Sequence, residues 1–435
     1  MKLIPDTALY HHHLPWKNNL FREYIFMSKH LTPASVRANI PFPQSTIEMG
    51  KAFLKPGDQL TLTVEDLAFG GEGVCRVQDP SCPNESFVVF VSFVIPGEKI
   101  ILEITEVKKQ YARGKLLKVL EVSAERVKPR CKHFGICGGC QYQHISYEAQ
   151  LRYKQKQIQD IFQRIGGFPE SKILPVLPNP SPWNYRNRIM IRSQWNKIIQ
   201  GLNIGFIRHD CGLVEDIHEC QIVEPELNNL IEHVHQNPPP RGGLKVVLRK
   251  EPEGWQVGKD SFFQNNFYML PGMINTLRDC VQDSGVNYLF DVYCGVGFLG
   301  IELASQIKSL IGIEIDKQAI LAANVNAKKH GVENAEFVSG TAEEVLPELI
   351  NRYPAEDSCV ILDPPRRGCH SSIMTLLREI KPRQILYVSC HPATLARDLK
   401  NLCYEGFYTL RKIQPMDMFS HTQHVECAAD LRLAQ

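Results

Sequence analysis

The period at which apolar residues recur changes along the chain, and these changes divide it into regions. Between Leu54 and Val119, short runs alternate polar and apolar positions, and turns rich in glycine and proline separate them. This pattern favours a small closed barrel of the OB-like type, built from five short strands. The strands are predicted at Gln59–Glu65, Phe69–Val77, Phe87–Ile95, Lys99–Val107 and Ala112–Val119. Residues 1–50 show no sustained period, so we expect a poorly ordered extension there.

Residues 121–270 combine one amphipathic helix with further strand-like segments. A helix is predicted over Ser146–Ile165, because apolar residues recur on one face and a glycine pair follows. A second helix is predicted over Glu224–Val234. Strands are predicted at Arg188–Arg192, Leu202–Ile207, Leu244–Leu248 and Trp255–Val257. This region is therefore predicted to be a mostly-β insert.

Residues 271–435 alternate regularly between helical and strand-like patterns. Helices are predicted at Asn275–Ser284, Phe298–Gln306, Lys317–His330, Ala342–Ile350, Ser371–Ile380 and Ala393–Leu402. Strands are predicted at Tyr288–Val292, Ser309–Glu314, Ala335–Ser339, Cys359–Leu362, Gln384–Val388, Phe407–Gln414 and Val425–Leu433. This alternation predicts a doubly wound α/β domain of the Rossmann-like type. Loops with chemically active residues follow three of the strands, which predicts one active-site edge.

Composition adds little to this picture, but the distribution of charge adds something. Hydrophobic residues make up 43% and charged residues 22% of the 435 positions, which is ordinary for a globular protein, and the net charge is +2. The stretch Val107–Lys132 departs from this balance, with nine basic residues against two acidic ones. Such an excess suits contact with a polyanion, although a solvated basic face explains it equally well.

The chain carries no sequence signal for a membrane. No segment approaches the roughly 20 apolar residues that a spanning helix needs. Its first residues lack the apolar core of a signal peptide. We therefore expect the 14 cysteines to lie in a reducing cytoplasm, where they are free, catalytic or metal-bound.

Three cysteines, Cys131, Cys137 and Cys140, fall within ten residues. Thiolates at this spacing can surround one metal centre, and Gly138 and Gly139 let the backbone fold around it. Zinc is the rival to an iron-sulfur centre, although structural zinc sites more often use two paired cysteine knuckles. Three unligated cysteines are a further alternative. The candidates for a fourth ligand are Cys220, which we favour, Cys211 and His144.

A glycine-rich turn, Gly295–Gly300, follows a predicted strand and opens a predicted helix. Its spacing matches a dinucleotide fingerprint, and Glu314 lies near the distance expected for a residue that binds ribose hydroxyls. NAD enzymes and S-adenosylmethionine methyltransferases share this pattern, and a purely structural turn would also produce it. Asp291, just ahead of the glycines, favours a ligand with an amino group, because a pyrophosphate would be repelled.

Two more loops carry candidate chemistry. In Asp363-Pro-Pro-Arg366 the prolines fix the backbone and therefore the carboxylate. Arg366 stands where amino-methyltransferases have an aromatic residue, which argues against methylation of an exocyclic amine. Cys390 lies at the end of a predicted strand, just before a turn at Pro392. A thiol at such a junction is held rigidly and can still meet a ligand.

Three stretches together resemble the signatures of bacterial RNA uracil-C5 methyltransferases. They are Leu362–Gly368, Ser389–Asp398 and Met416–Glu426, and the resemblance covers residues 52–435. It implies that residues 51–120 are a TRAM domain and that residues 271–435 are the S-adenosylmethionine-dependent methyltransferase domain. It also implies that the central region holds a 4Fe-4S cluster on Cys131, Cys137, Cys140 and Cys220. The barrel and the cysteines point to the branch that acts on 23S rRNA, because the tRNA branch lacks both.

The resemblance also assigns roles to single residues. Cys390 is expected to add to C6 of uracil, and Glu426 is expected to remove the C5 proton as the general base. Asp363 is expected to position one of the two. The residues expected to contact S-adenosylmethionine are Gln264, Tyr293, Phe298, Glu314 and Asp363.

Two positions depart from the family pattern. Phe298 stands where asparagine is common, which leaves its backbone for contact with the cofactor. His391 replaces the usual asparagine after the cysteine, and we expect it to act in the turn. We expect a cytoplasmic monomer that binds RNA. The alternatives are a tRNA uracil-C5 methyltransferase and a non-catalytic RNA-binding protein.

Overall fold

Three β-sheets of different design follow one another along the residues that the computed structural model describes, 53–79 and 82–434. The extension predicted over residues 1–50 lies outside the described residues. Within the described part of the chain, no helix combines the length and the apolar character that crossing a membrane requires.

The first sheet is a closed barrel. Its strands are β1 (Gln59–Thr63), β2 (Asp66–Leu67), β3 (Glu72–Asp79), β4 (Cys82–Ser92), β5 (Lys99–Val107) and β6 (Tyr111–Glu121). β1 pairs with β5 at one edge of the sheet, while β2 pairs with β3 at the other edge. Since Val64 and Glu65 alone separate β1 from β2, one extended stretch joins both edges. The predicted barrel is confirmed, with six strands instead of five because the short strand β2 forms between the first two predicted strands.

The central region combines a long helix with a small antiparallel sheet. Helix α1 (Tyr147–Ile161) continues into a π-helical turn, Phe162–Gly166. The sheet has the order β10-β7-β8-β9. Its strands are β7 (Arg188–Asn196), β8 (Gly201–Ile207), β9 (Val214–Asp216) and β10 (Lys245–Arg249). Helix α2 (Pro225–Gln236) covers one face and buries Leu227 and Ile231.

The strand predicted at Trp255–Val257 is wrong, because these residues are irregular in the structure. The Trp255 ring stacks on the His330 ring with centroids 4.3 Å apart and meets the Phe298 ring edge-on at 5.0 Å. Tertiary packing of one large ring, and not strand pairing, therefore explains the apolar character of this segment.

The third sheet has the order β13-β12-β11-β14-β15-β17-β16. Its strands are β11 (Tyr288–Val292), β12 (Ser309–Glu314), β13 (Ala335–Ser339), β14 (Ser358–Leu362), β15 (Gln384–Ser389), β16 (Tyr408–Met416) and β17 (Glu426–Leu433). The helices are α3 (Leu270–Ser284), α4 (Phe298–Leu303), α5 (Lys317–Lys329), α6 (Ala342–Ile350), α7 (Ser371–Ile380) and α8 (Pro392–Leu402). β11 to β15 are parallel, and β17 runs antiparallel to both neighbours.

Both faces of the third sheet are buried, which explains its apolar strands. Every residue of β14 and β15 is buried. Neighbouring residues such as Leu289 and Phe290 enter different hydrophobic clusters, one on each face. Parallel strands covered by helices on both sides read as continuous apolar runs. The doubly wound α/β prediction is confirmed.

Helix α1 connects the barrel with the third sheet. From α1, Gln157 Nε2 donates to the carbonyl oxygen of Leu67 in the barrel at 3.0 Å. Beyond the helix, Leu174 N donates to Ile413 O at 2.9 Å, and Leu177 N donates to Pro415 O at 2.8 Å, both in β16. The carboxyl ends of the parallel strands share one cavity with the central sheet.

Candidate active site

One cavity of about 1480 Å³ collects almost all of the residues singled out from the sequence. Its walls come from the carboxyl ends of the parallel strands, from the central sheet and from the cysteine-rich loop. The predicted residues that line it are Gln264, Tyr293, Glu314, Asp363, Cys390, Glu426, Cys131, Cys137, Cys140 and Cys220. Phe298 is the exception among the predicted site residues.

Strand register brings Cys390 and Glu426 together. In the antiparallel pair β15 and β17, Ser389 lies opposite Cys427. One step beyond that pair, Cys390 follows the end of β15, and Glu426 is the first residue of β17. The two side chains line the same cavity, with Glu426 buried and Cys390 partly exposed. A thiol and a carboxylate thus meet on a rigid sheet edge.

Burial dominates the ionisation of this pair. It raises the pKa of the Cys390 thiol to about 11, and the Glu426 charge adds to the rise. Burial also raises the pKa of Glu426 well above its usual range, and the Asp363 charge raises it further. Asp363 itself has its pKa raised to about 7 by burial and by Asp291. The resting site therefore favours protonated forms.

Arg366 opposes these shifts, and sequence reasoning missed its role. Its charge lowers the pKa of both Cys390 and Glu426. The Arg366 carbonyl accepts a hydrogen bond from Thr394 Oγ1 at 3.2 Å, and its guanidinium lies 3.5 Å from His424 Nε2. The sequence does show a cation close to Asp363 in the motif. We interpreted that arginine only as the replacement of an aromatic ring. Arg366 is the cation of this site.

Two of the signature stretches, Leu362–Gly368 and Ser389–Asp398, form one structural unit. Asp398 Oδ2, in α8, accepts hydrogen bonds from Tyr387 Oη at 2.7 Å and from Cys369 N at 3.1 Å. Gly368 has φ +81°, and a Cβ atom there would lie 2.4 Å from Asp398 Oδ2. Only glycine fits both conditions. The loop that carries Asp363 is therefore fastened to the helix that follows Cys390.

His391 caps the helix that follows Cys390. Its Nδ1 accepts a hydrogen bond from Thr394 N at 3.3 Å. Burial is the largest cause that lowers the pKa of His391, so the ring remains a neutral acceptor. The expected turn role agrees with this geometry.

The third signature stretch, Met416–Glu426, is held by a buried ion pair that was not predicted from the sequence. Lys154 Nζ, in α1, lies 2.5 Å from Asp417 Oδ1, and the two side chains are 0% and 1% exposed. Tyr147 Oη and Ser420 Oγ also donate to Asp417 Oδ2, at 2.8 and 2.6 Å. A signal existed, since Lys154 is three residues after Leu151 on the apolar face of the helix. The network fixes residues 417–424, which lead into Glu426.

The glycine-rich turn places Tyr293 and Glu314 at the cavity. Tyr293 has φ +67°, an uncommon conformation that clusters at functional sites. Glu314 Oε2 accepts a hydrogen bond from Gly295 N at 3.1 Å, and Oε1 accepts one from Asp316 N at 2.9 Å. Gly297 has φ +81°, and a Cβ there would lie 2.9 Å from the Ile301 side chain. The turn is thus close to the next strand and begins α4.

One expectation about this turn needs correction. Asp291 is fully buried and does not line the cavity, so the expected contact with an amino group is wrong. Its Oδ2 accepts a hydrogen bond from Gly300 N at 2.9 Å, which fastens α4 to the strand. The Phe298 side chain packs against Trp255 and Phe263, with centroids 5.0 and 5.2 Å away. The ring is thus used for packing, and contact of the Phe298 backbone with the cofactor stays a prediction.

Phe262, two residues before Gln264, is a cavity residue that sequence reasoning did not single out. Its side chain is 54% exposed and lines the cavity. The second phenylalanine, Phe263, is buried instead. An exposed ring beside a cavity offers a face on which a base can stack. The signal was the pair of aromatic residues directly before a glutamine.

The four predicted metal-ligating cysteines lie in one neighbourhood. Burial raises the pKa of Cys140 and Cys220, to about 12 for Cys220, and each is raised further by charges on the other cysteines. Gly138 N donates to Ile207 O at 2.9 Å, which anchors the loop to β8. The other fourth-ligand candidates, Cys211 and His144, are not among the residues that line the cavity. The geometry therefore favours Cys220.

The spacing of the sulfur atoms bears on the choice of metal centre. A single tetrahedral zinc ion, with Zn–S bonds of about 2.3 Å, brings its sulfurs to roughly 3.8 Å from one another. Across residues 53–79 and 82–434, no three of these cysteines have ligating atoms that all lie within 4.8 Å of one another. A polynuclear cluster, whose thiolates bind different iron atoms, tolerates this wider spacing.

The chain matches two family models. One, described as tRNA (Uracil-5-)-methyltransferase, matches residues 250–433. The other, described as TRAM domain, matches residues 54–117. The first spans the third sheet with every residue of the three signature motifs, and the second coincides with the barrel.

Curated relatives match over nearly the whole chain. An uncharacterized RNA methyltransferase from Thermosynechococcus vestitus is 32% identical, over 86% of this chain and 98% of the relative. A second uncharacterized RNA methyltransferase, from Nostoc sp., is also 32% identical, over 89% of this chain and 99% of the relative.

A solved structure is also similar. It is the Pyrococcus abyssi tRNA (uracil-54, C5)-methyltransferase in complex with S-adenosyl-L-homocysteine, with a TM-score of 0.65 and 26% identity. The match covers 86% of this chain and 100% of the Pyrococcus chain. Residues 121–435 are less than three quarters of the sequence, so the match extends into the barrel. The expectation that a barrel separates rRNA enzymes from tRNA enzymes is therefore wrong.

Proposed function

We propose a specific reaction for this chain, which belongs to the family of RNA uracil-C5 methyltransferases: methyl transfer from S-adenosylmethionine to C5 of a uridine in 23S rRNA, through a covalent adduct on Cys390. The observation that carries the proposal is the juxtaposition of Cys390 and Glu426 across β15 and β17, at the edge of the cavity. A nucleophile and a base on one rigid edge suit a reaction that must first activate and then deprotonate one ring.

The residues of the glycine-rich turn fit the cofactor. Glu314, already oriented by two backbone N–H groups, would bind the ribose hydroxyls. Asp363, Gln264 and Tyr293 line the adjoining part of the cavity. S-adenosylmethionine supplies an electrophilic methyl group on a positively charged sulfur. Carboxylates beside that position suit its charge, and the positive sulfur would lower their pKa values.

Cys390 begins the reaction as a thiolate. Arg366, the cation that lowers the thiol pKa, favours this form. The Cys390 sulfur adds to C6 of uracil, which turns the ring into an enolate with electron density at C5. C5 takes the methyl group as the bond from that methyl to the cofactor sulfur breaks, and S-adenosylhomocysteine is the leaving group. Glu426 then accepts the proton that remains on C5, the C6–S bond breaks, and Cys390 leaves as a thiolate. Phe262 supplies an aromatic face for the extruded base.

We also assign a 4Fe-4S cluster to Cys131, Cys137, Cys140 and Cys220. The single neighbourhood of the four thiols supports one shared metal centre, and the absence of a second paired cysteine knuckle from the sequence favours iron over zinc. Its role in our proposal is to brace the barrel. The Phe134 ring, within the cysteine loop, packs edge-on against Phe93 of the barrel with centroids 5.2 Å apart. Phe93 also meets the His209 ring at 5.0 Å.

The identity of the RNA is the most specific part of the proposal. The four cysteines resemble those of the 23S rRNA branch, and the basic stretch Val107–Lys132 suits a large folded RNA. Transfer RNA is the second candidate, because the similar Pyrococcus structure is a tRNA (uracil-54, C5)-methyltransferase.

The test offers both RNAs to the purified protein. 23S rRNA and total tRNA are prepared from cells that lack the gene and are incubated with S-adenosylmethionine labelled in its methyl group. We expect label in one 23S rRNA fragment, recovered as 5-methyluridine. Label in tRNA alone would overturn the choice of RNA but keep the reaction. Label at another atom, or none in either RNA, would overturn the reaction itself.

A further inference from the structure

We propose that Asp216, His218 and His235 form a binding site for a divalent zinc-like cation, separate from the four cysteines. One ligating atom from each residue lies within 4.8 Å of the other two. In the described part of the chain this is the one group of three or more potential ligands that is so close together. The site lies on the central region, where the segment after β9 meets the last turn of α2.

The hydrogen bonds around the two histidines prepare one nitrogen on each ring. His218 Nδ1 lies 3.0 Å from Glu232 Oε2, an acceptor, so this nitrogen carries the proton. His218 Nε2 is then free and lies 3.6 Å from Asp216 Oδ2. Metal-bound histidines almost always donate their other N–H to a carboxylate or a carbonyl in this way. Glu232 therefore has the position of a supporting acceptor behind His218.

His235 has a matching arrangement. Its Nε2 lies 3.0 Å from the carbonyl oxygen of Ile217, which can only accept, so Nδ1 keeps its lone pair. The two imidazole rings are stacked, with centroids 3.8 Å apart and an angle of 19° between planes. The His218 side chain is 53% exposed, so it can turn toward a shared ion. In each histidine, one ring nitrogen is therefore hydrogen-bonded to a protein acceptor, and the other keeps its lone pair for an ion.

The donor set selects the class of ion. Two imidazole nitrogens and one carboxylate suit zinc, copper or nickel, whereas calcium and magnesium prefer oxygen ligands alone. Zinc is commonly bound by three protein ligands with water in the fourth position. We therefore assign the site to zinc-like ions, with solvent completing the coordination.

An ion here would hold the segment that carries Cys220. That segment is already tied to α2, since Cys220 N donates to Asn228 Oδ1 at 2.9 Å and Asn228 Nδ2 donates back to Cys220 O at 3.0 Å. The proposed ion would add a second tie at His235, about two turns further along the helix. The ion would thereby restrict the position of Cys220 relative to the other three cysteines.

The test is a zinc titration of the full-length protein, followed by calorimetry. The wild type is compared with the double variant His218→Ala/His235→Ala and with His233→Ala. His233 is the matched control, because it is an exposed histidine on the same helix, outside the group. All three proteins keep the four cysteines and the His11–His13 triplet, so their difference reports this site alone.

We expect the double variant to bind one zinc equivalent fewer than the wild type and the His233→Ala control. Glu232→Gln should weaken the same event by roughly 10- to 100-fold, the usual cost of removing a supporting acceptor. Equal stoichiometry in all proteins would overturn the proposal. So would an equivalent that is lost in His233→Ala as well. Neither outcome depends on what the four cysteines hold.

Discussion

Two groups of thiols face the same cavity, and their surroundings differ. Cys390 has one cation, Arg366, and two carboxylates, Glu426 and Asp363, among its electrostatic neighbours. Cys140 instead has three other thiols among its electrostatic neighbours, each of which raises its pKa. A lone thiol with a cation can ionise for a reaction, whereas four crowded thiols ionise together only when a metal centre neutralises them. In our proposal, the wall with Cys390 carries out the reaction, whereas the wall with the four cysteines binds a metal centre.

The backbone that carries each group of thiols also differs, because one group lies at a sheet edge and the other on a loop. Cys390 follows a strand that is buried in every residue, and Glu426 begins the paired strand. Cys131, Cys137 and Cys140 lie on a loop without helix or strand. A rigid edge defines a reaction geometry before any ligand arrives. In our proposal, this loop gains its geometry from the metal centre, so removal of the centre is expected to cost folding energy there.

The largest effect is expected for Cys390→Ala. Loss of the nucleophile should reduce turnover by at least about 10⁴-fold, equivalent to roughly 5 kcal/mol in the activation barrier. Cys403→Ala is the matched control, because burial raises the pKa of Cys403 to about 11 as well, yet Cys403 does not line the cavity. The measurement is methyl transfer to RNA under single-turnover conditions. Residual activity near the wild-type rate would remove Cys390 from the mechanism.

The next effect concerns the other group of thiols. Cys220→Ser should abolish iron binding and lower the free energy of unfolding by on the order of 4 kcal/mol, because loss of a metal centre is among the costliest single changes. Cys211→Ser, an exposed cysteine outside the cavity, should leave both unchanged. Iron analysis of anaerobic protein, together with thermal unfolding, measures the two quantities. Iron retained in Cys220→Ser would show that the fourth ligand lies elsewhere.

The regularity of the third sheet made it the most predictable part of the fold. The bounds of β11, β12, β13, α6 and α7 agree residue for residue with the prediction. Buried parallel strands give uninterrupted apolar runs, and the intervening helices have their own period, so the boundaries are visible in the sequence alone.

The site was less predictable where it depends on distant partners. Lys154 meets Asp417, 263 residues further along the chain, and no local pattern names that partner. Asp291 seemed free to meet a ligand, yet it is buried against Gly300. Arg366 gained its importance only once the fold placed it beside Cys390 and Glu426. Motif residues could thus be found from the sequence, whereas the charges that surround them required the structure.

A third prediction tests whether the reactive wall works as an electrostatic unit. Glu426 accepts a proton only when ionised, so turnover should rise with pH as its carboxyl group loses its proton. Asp363 raises the pKa of Glu426, and its own pKa is raised to about 7. Asp363→Asn removes this like charge and should shift the acidic limb of the pH profile to lower pH by about one unit.

The maximal rate and the pH midpoint of the acidic limb report different properties of the variant. Asp363→Asn should also lower the maximal rate, since Asp363 is expected to contact the cofactor, but this change does not move the limb. An unshifted limb in the variant would mean that another group controls the acidic side. The measurement is single-turnover methyl transfer between pH 5 and 9, normalised to the maximum of each protein.

The smallest effect is expected for Arg192→Ala, which asks whether RNA passes between the two thiol groups. Arg192 lies on β7, opposite Lys245, and lines the cavity together with both groups. If it contacts one phosphate, its loss should weaken RNA binding several-fold and reduce the salt slope by roughly 0.7, the value for one contact to single-stranded RNA. Lys197→Ala is the control, an exposed cation in the turn that follows β7, outside the cavity. Because Arg192 belongs to neither thiol group, the maximal rate should stay unchanged. A lower rate at saturating RNA would instead show that Arg192 contributes to the chemical step.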